Sequence, residues 1–406
     1  MKRVLVVLTL LSLVLVACGS KPAAPAPAPG AGSSTPAPAA APAAPVPLAA
    51  LCALTGPTSD VGVPYCEGEK AFFDWYNGKG GIKGRKIDFK AEDYAYQVPK
   101  AQELYSKYIN DFKAVAIMGW GTGDTVDLAQ VYNDAQKPLM SGSFAEELSD
   151  VKTHPYNFLI ATSYSDEGRI LLKYIKDNWK ESRAPKVVMS HADSPFGNAP
   201  IGDMKAYAKT LGFEVLSDAV VASGALEADA QMLTAKNAGA DFVIINQTTA
   251  PTVATLKSAK KVGLTAKMFG LIWTAAEDLI TGAGETADGF IATVSFSFPY
   301  EDNPNLKDMK DYLAGKGDSL DKKTAKWVQG WTAGHLMTMA MEAVAGQGKE
   351  INGPNIKAAL ETFKDVKIDG VLNPLTFTAT AHKGTLKTTL YQVKGGKFQA
   401  LTTAGL

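Results

Sequence analysis

The chain has 406 residues, 46% of them apolar, and its 41 basic and 41 acidic side chains cancel. That balance leaves no electrostatic footprint for nucleic acid or an acidic lipid surface. A chain of this length exceeds what one hydrophobic core organises, so two lobes are expected.

In chain order, Lys2 and Arg3 precede an apolar run at residues 4–15, the length of a signal-peptide core and too short for a membrane span. Residues 1–17 are read as a signal peptide. The run closes in Leu15-Val16-Ala17-Cys18-Gly19, which resembles the lipobox of bacterial lipoproteins. That resemblance implies a lipidated Cys18 and anchoring through the lipid to a bacterial membrane, facing the periplasm or the exterior. Residues 18–46 form a tether: 8 Pro and 11 Ala among residues 21–46 cannot build a core. Alternating Pro keeps such a segment extended and semi-rigid.

From residue 47 onward, short β-rich runs alternate with helical periods. LAALCAL (48–54) reads as a buried strand and EGEKAFFDWYN (67–77) as a helix. A strand at 85–91 and a helix at 100–111 follow. AVAIMG (114–119) is a continuous apolar strand of the kind buried on both faces of a parallel sheet. Strands are expected at 137–141, 186–190, 214–221, 241–246 and 266–271, with helices at 167–180, 201–212, 229–239 and 251–263. The order is that of a doubly wound α/β protein, in which ligands sit beyond the carboxyl ends of the strands. After Gly289 the rhythm loosens. A strand-like run at 290–300 and a long helix at 324–345 precede a hairpin that turns at Gly395-Gly396. The Met- and Trp-rich face of that long helix is read as core packing.

The stretch LTGPTSDVGVPYCEGEKAFFDWYNGKGGIKGRKI (54–87) resembles the start of the branched-chain amino-acid binding proteins of ABC importers, the type I periplasmic binding proteins. The strand-end Thr55-Gly56-Pro57, Gly62 before the first helix, Asn77 and Gly80-Gly81 carry the likeness. AVAIMG, KPLMS, SPFGN (194–198) and GADFVIIN (239–246) continue it. The resemblance implies two doubly wound α/β lobes joined by three crossover strands, near 161–163, 293–297 and 374–380. Lobe one would comprise 47–162 plus 296–375, and lobe two 163–295 plus 376–406. It implies a small-molecule ligand in the cleft and ABC permease subunits as partners. A ligand-sensing receptor module is the alternative to a transport component.

GWGTGDT (119–125) alternates three glycines after a strand but has neither the Lys-Ser/Thr of a phosphate loop nor the G-x-G-x-x-G of a dinucleotide loop. Its amides, at a helix start near Asp124, suit an anion. Thr122 and Thr125 add hydroxyls, and Trp120 adds an aromatic wall. The resemblance places a ligand carboxylate at Thr122 and at the Ser141-Gly142-Ser143-Phe144 loop, with Ser143 as its hydroxyl contact and Phe144 beside it. It also points to Val61, Phe196, Gln247 and Trp273. Where amino-acid binders of this family carry an acidic partner for the ligand's ammonium, this chain reads GLIWT (270–274). Glu277 and Asp278 either reach in or simply open the next helix. Two ligand classes stay open: a hydrophobic, branched-chain-type amino acid, and an aromatic or short-chain carboxylate without an ammonium.

The four His share no metal-ligand spacing and no G-x-S-x-G context is present. No catalysis, metal or cofactor is expected. Cys52 and Cys66 flank a short loop, and a disulfide or two buried thiols both fit.

Overall fold

The computed structural model describes residues 44–406. The signal-peptide, Cys18 and most of the tether assignments lie outside the described residues. None of the described helices is long and apolar enough to cross a membrane.

Among the described residues, twelve strands form two sheets. β1 (Val46–Cys52), β2 (Ile87–Asp93), β3 (Ile117–Met118) and β4 (Leu139–Met140) make a four-stranded parallel sheet in the order β2-β1-β3-β4. β1 lies inside, with Ala49 opposite both Lys90 and Ile117, which is why six of its seven residues are buried. Helices pack on both faces of such a strand, so an alternating pattern is not required. β5 (Lys186–Ala192), β6 (Glu214–Val215), β7 (Ala219–Val221), β8 (Phe242–Asn246), β9 (Lys267–Gly270), β10 (Ile291–Val294), β11 (Lys387–Lys394) and β12 (Lys397–Gly405) build the second sheet. Its order is β12-β11-β10-β9-β8-β5-β6, with β7 also on β5. β11 and β12 close it as an antiparallel hairpin. The hairpin turns on Gly395 and Gly396 at φ 60° and 73°, the doubly positive geometry that glycine supplies without strain.

Several elements differ from expectation. The first helix runs Ser59–Gly78 and begins eight residues before 67, with Pro64 inside it. Gly62 therefore lies within this helix rather than before it. Pro64 is the sixth residue of the helix and gives up the bond that an amide there would make to the Asp60 carbonyl. Residues 114–119 yield only the two-residue β3, and 214–221 splits into β6 and β7. The long helix Ala325–Gly346 lies against Ser59–Gly78 at very close range. A side chain at Gly330 would strike the backbone oxygen of Tyr65, and one at Gly68 that of Trp327. Trp331 fills the seam beside Phe72 and Trp75.

The chain passes between sheets three times. Phe158 still bonds to Leu139, and the helix Tyr164–Asn178 then opens with Ser163 accepting from the Asp166 amide. The second passage follows β10, where Phe296 bridges Val371. The third, expected at 374–380, lies later. Leu375 pairs with Val366, the Phe377 amide bonds to Phe363, and Gly384 bonds to Leu159. Only at Lys387 does the chain join the second sheet. Local bridges hold residues 375–384 on the near side, and their sequence carries no strand period to reveal this.

Candidate functional site

The ends of β1, β3 and β4 from one lobe face those of β5, β8 and β9 from the other. A cavity of about 20 Å³ lies where they meet, lined by Val61, Trp120, Thr122, Phe196 and Trp273 among others. That is far below the roughly 300–1,000 Å³ of sites for drug-sized ligands, so the aromatic side chains fill most of the space between the strand ends.

Trp273 stands at its centre. Its indole N–H donates to the Tyr164 hydroxyl at 2.8 Å. The Trp120 ring meets it edge-on at 5.1 Å, and Phe144 stacks parallel to it at 6.1 Å. Edge-to-face and offset contacts of this kind hold rings in fixed orientations. Trp120 is fixed in turn by donating its N–H to Thr58 Oγ1 at 3.0 Å. Phe196 packs edge-on to Tyr164 at 5.4 Å; its loop is capped by Ser194, which accepts from the Gly197 amide.

Four expected residues do not line the cavity. Ser143 lies behind Thr122, and their hydroxyls share a 2.6 Å hydrogen bond. Thr125 donates to the Gly121 carbonyl and bonds to Ser141, bracing the loop from below. Phe144 backs Trp273. Gln247 turns into the core of its own lobe, where Nε2 donates to Ser190 and Oε1 accepts from Thr255. The side chain is fully buried, and with one donor and one acceptor engaged inside the lobe its amide is held away from the cavity.

The helix Thr122–Asp127 opens at Gly121, but its positive end is already engaged. The buried Asp124 carboxylate receives the Tyr94 hydroxyl at 2.9 Å, and its Oδ2 has no partner. Burial pushes its pKa up to about 7, while Tyr94 and the amides of Asp124 and Gly121 pull it down. The loop thus carries an acid of its own at the point where sequence suggested an open anion cradle.

No Asp or Glu lines the cavity. The acids lie one layer out. Glu167, fully buried, accepts from the Ile272 amide at 3.0 Å and is pushed up to about 8 by burial. Lys326 reaches the Ile272 carbonyl at 2.6 Å and lies 5.0 Å from the Trp273 ring. Burial depresses its pKa to about 7, against the opposing pull of Glu277, Glu167 and Asp60.

Sequence reading missed Thr58, Tyr96, Tyr164 and Thr248, all of which line the cavity. Tyr96 follows β2 and Thr248 follows β8, so the rule that ligands sit beyond strand ends could have found both. Tyr164 carried no comparable signal. Among the described residues, the one close grouping of metal-type donors is Cys52, Cys66 and Glu69. Its two sulfurs are joined as a disulfide across a Cα–Cα distance of 5.8 Å, which leaves a lone carboxylate.

Two α/β lobes with an aromatic cavity between their strand ends define a solute-binding protein of the two-lobe class. A family described as periplasmic binding protein matches residues 45–397, and the chain belongs to that family. It is 23% identical to the Leu/Ile/Val-binding protein of Escherichia coli over 345 residues, 84% of this chain and 88% of the relative. A branched-chain amino-acid ABC transporter structure from Thermus thermophilus with bound valine is 27% identical. It superposes with a TM-score of 0.83 over 88% of this chain and 95% of that one. A branched-chain amino-acid binding protein from Streptococcus pneumoniae, in complex with isoleucine, shares the fold at 20% identity. Its TM-score is 0.75, over 89% and 100% of the two chains.

Proposed function

We propose that this chain is the extracytoplasmic, lipid-anchored binding component of an ABC importer. It captures a hydrophobic amino acid of the branched-chain type, or a related small carboxylate, in the cavity between its lobes. The observation that carries this reading is the small cavity walled by Trp120, Trp273 and Phe196, with Thr122 and the Gly121-Gly142 backbone at one end. The aromatic walls take an apolar side chain, and the hydroxyl and backbone end takes a carboxylate. The valine-bound relative supports the same reading. Lipidation at Cys18 rests on the sequence of the leader, and the permease partner on the family.

One observation favours the second ligand class. Ile272 and Trp273 occupy the place of the family's acidic residue, and no carboxylate lines the cavity. An ammonium buried there without a counter-charge is costly. An aromatic or short-chain acid without an ammonium avoids that cost.

Thermal-shift titration separates the two classes. A ligand at 100 times its dissociation constant adds about 2.7 kcal/mol of stability. A strong shift with L-valine or L-leucine and none with benzoate supports the amino acid; the reverse pattern supports the simple acid. Silence from both would sink the carboxylate reading.

A further inference from the structure

Two long helices that face the cleft from opposite lobes lack caps of their own. The helix Thr249–Val262 of lobe two starts after Thr248, whose side chain makes no capping bond. The helix Ala325–Gly346 of lobe one starts after Thr324, which makes none either. The Thr324 hydroxyl is buried without a hydrogen-bond partner, and the buried Thr248 hydroxyl faces Asp60. The first amides of a helix need acceptors from outside it, and here each comes from the other lobe. Asp60, in the first turn of Ser59–Gly78, accepts from the Ala250 amide at 2.8 Å. Glu277 of lobe two accepts from the Ala325 amide at 2.9 Å. Lys326, the next residue along, crosses in the same direction to the Ile272 carbonyl.

We infer that Asp60, Glu277 and Lys326 form a reciprocal capping latch, in which each lobe caps a helix of the other and closure of the cleft is what completes both caps. The carboxylates meet the positive ends of the two helices, and the bonds to Ala250 and Ala325 offset only part of the burial that raises both pKa values. Ala250 is already exposed while Ala325 is buried, so opening the hinge would part both carboxylates from their amides and newly wet the Ala325 start. The latch sets the ligand site because its parts border it. Asp60 adjoins Val61, and Lys326 fixes the Ile272-Trp273 turn over which the indole is oriented. They are positioning residues and do not line the cavity. The inference concerns closure and holds for whichever solute is bound.

Amide hydrogen exchange on the full-length chain, with no solute added, tests it. Asp60→Ala removes the acceptor at Ala250. The latch requires that exchange also accelerate at Ala325, on the far cap, whose own acceptor is untouched. The converse holds for Glu277→Ala, read at Ala250. Losing one cap is expected to raise exchange at the distant one by about fivefold. Asp60→Asn, which keeps a carbonyl acceptor, restores protection at both sites. Acceleration confined to the amide that lost its acceptor would overturn the latch and reduce each contact to a local cap. If one alanine variant does not fold, the other decides by the same criterion. Because no ligand is used, the result stands apart from the thermal-shift outcome.

Discussion

Lys326 and Trp273 belong to opposite lobes, and the Lys326 Nζ lies 5.0 Å from the centre of the Trp273 ring while bonding to the carbonyl just before it. A cation over an indole is attracted by the ring's negative face, more strongly when water is excluded. The charge of Lys326 also lowers the pKa values of Glu167 and Glu277, both pushed up by burial. One side chain therefore joins the aromatic wall of the site to the polar layer behind it.

Removing that amine leaves the Ile272 carbonyl without its side-chain donor. Lys326→Met is expected to destabilise the protein by about 1–2 kcal/mol, the cost of a buried acceptor that loses its partner. Lys173→Met, on an exposed pair with Asp177, should stay within about 0.5 kcal/mol of wild type. Denaturant melts of the two variants provide the comparison, and equal stabilities would argue against this role for Lys326.

Thr122 lines the cavity and shares its hydroxyl with Ser143. Thr122→Ala should weaken binding of the solute found by thermal shift about tenfold, the worth of one hydrogen bond to a charged group. Its melting temperature should move little. Calorimetric titration checks the affinity, and an unchanged dissociation constant removes Thr122 from the site.

Asp124 gives a pH signature. Its pKa is about 7 in the folded protein against an ordinary 3.8, so between these values the folded state holds more protons than the unfolded one. Stability from this group consequently falls as pH rises from about 4 to 7 and stays low above. Asp124→Asn removes that fall, and its stability relative to wild type should improve between pH 4.5 and pH 8. Glu167 and Glu277 titrate in both proteins, so the difference isolates Asp124. A difference that does not vary with pH would contradict the assignment.

The Cys52–Cys66 disulfide joins residues 14 apart, tying the end of β1 to the first helix. A closed loop of that size is worth roughly 3 kcal/mol. Reduction, or the paired Cys52→Ser and Cys66→Ser change, should lower the unfolding midpoint accordingly. Binding should weaken less than stability, since neither sulfur reaches the cavity. Identical melts with and without reductant would show that the bond is not formed in solution.

The sequence by itself determined the alternation of strands and helices, because apolar periodicity and glycine stops are local signals. It marked Val61, Trp120, Thr122, Phe196 and Trp273, each at or near a strand end and each on the cavity wall. It also showed that GLIWT carries no acid. Long-range packing decided what local pattern could not express. Gly62 read as lying before the first helix, which packing against Ala325–Gly346 nevertheless extends back to Ser59. Gln247 looked available until Ser190 and Thr255, 57 and 8 residues away, took both ends of its amide. GWGTGDT looked like an empty anion cradle until Tyr94 and Asp124 met there. The exchange of helix caps between lobes is the furthest from the sequence. A carboxylate at Asp60 and an uncapped amide at Ala250 are 190 residues apart, and only the closed tertiary structure makes one the partner of the other.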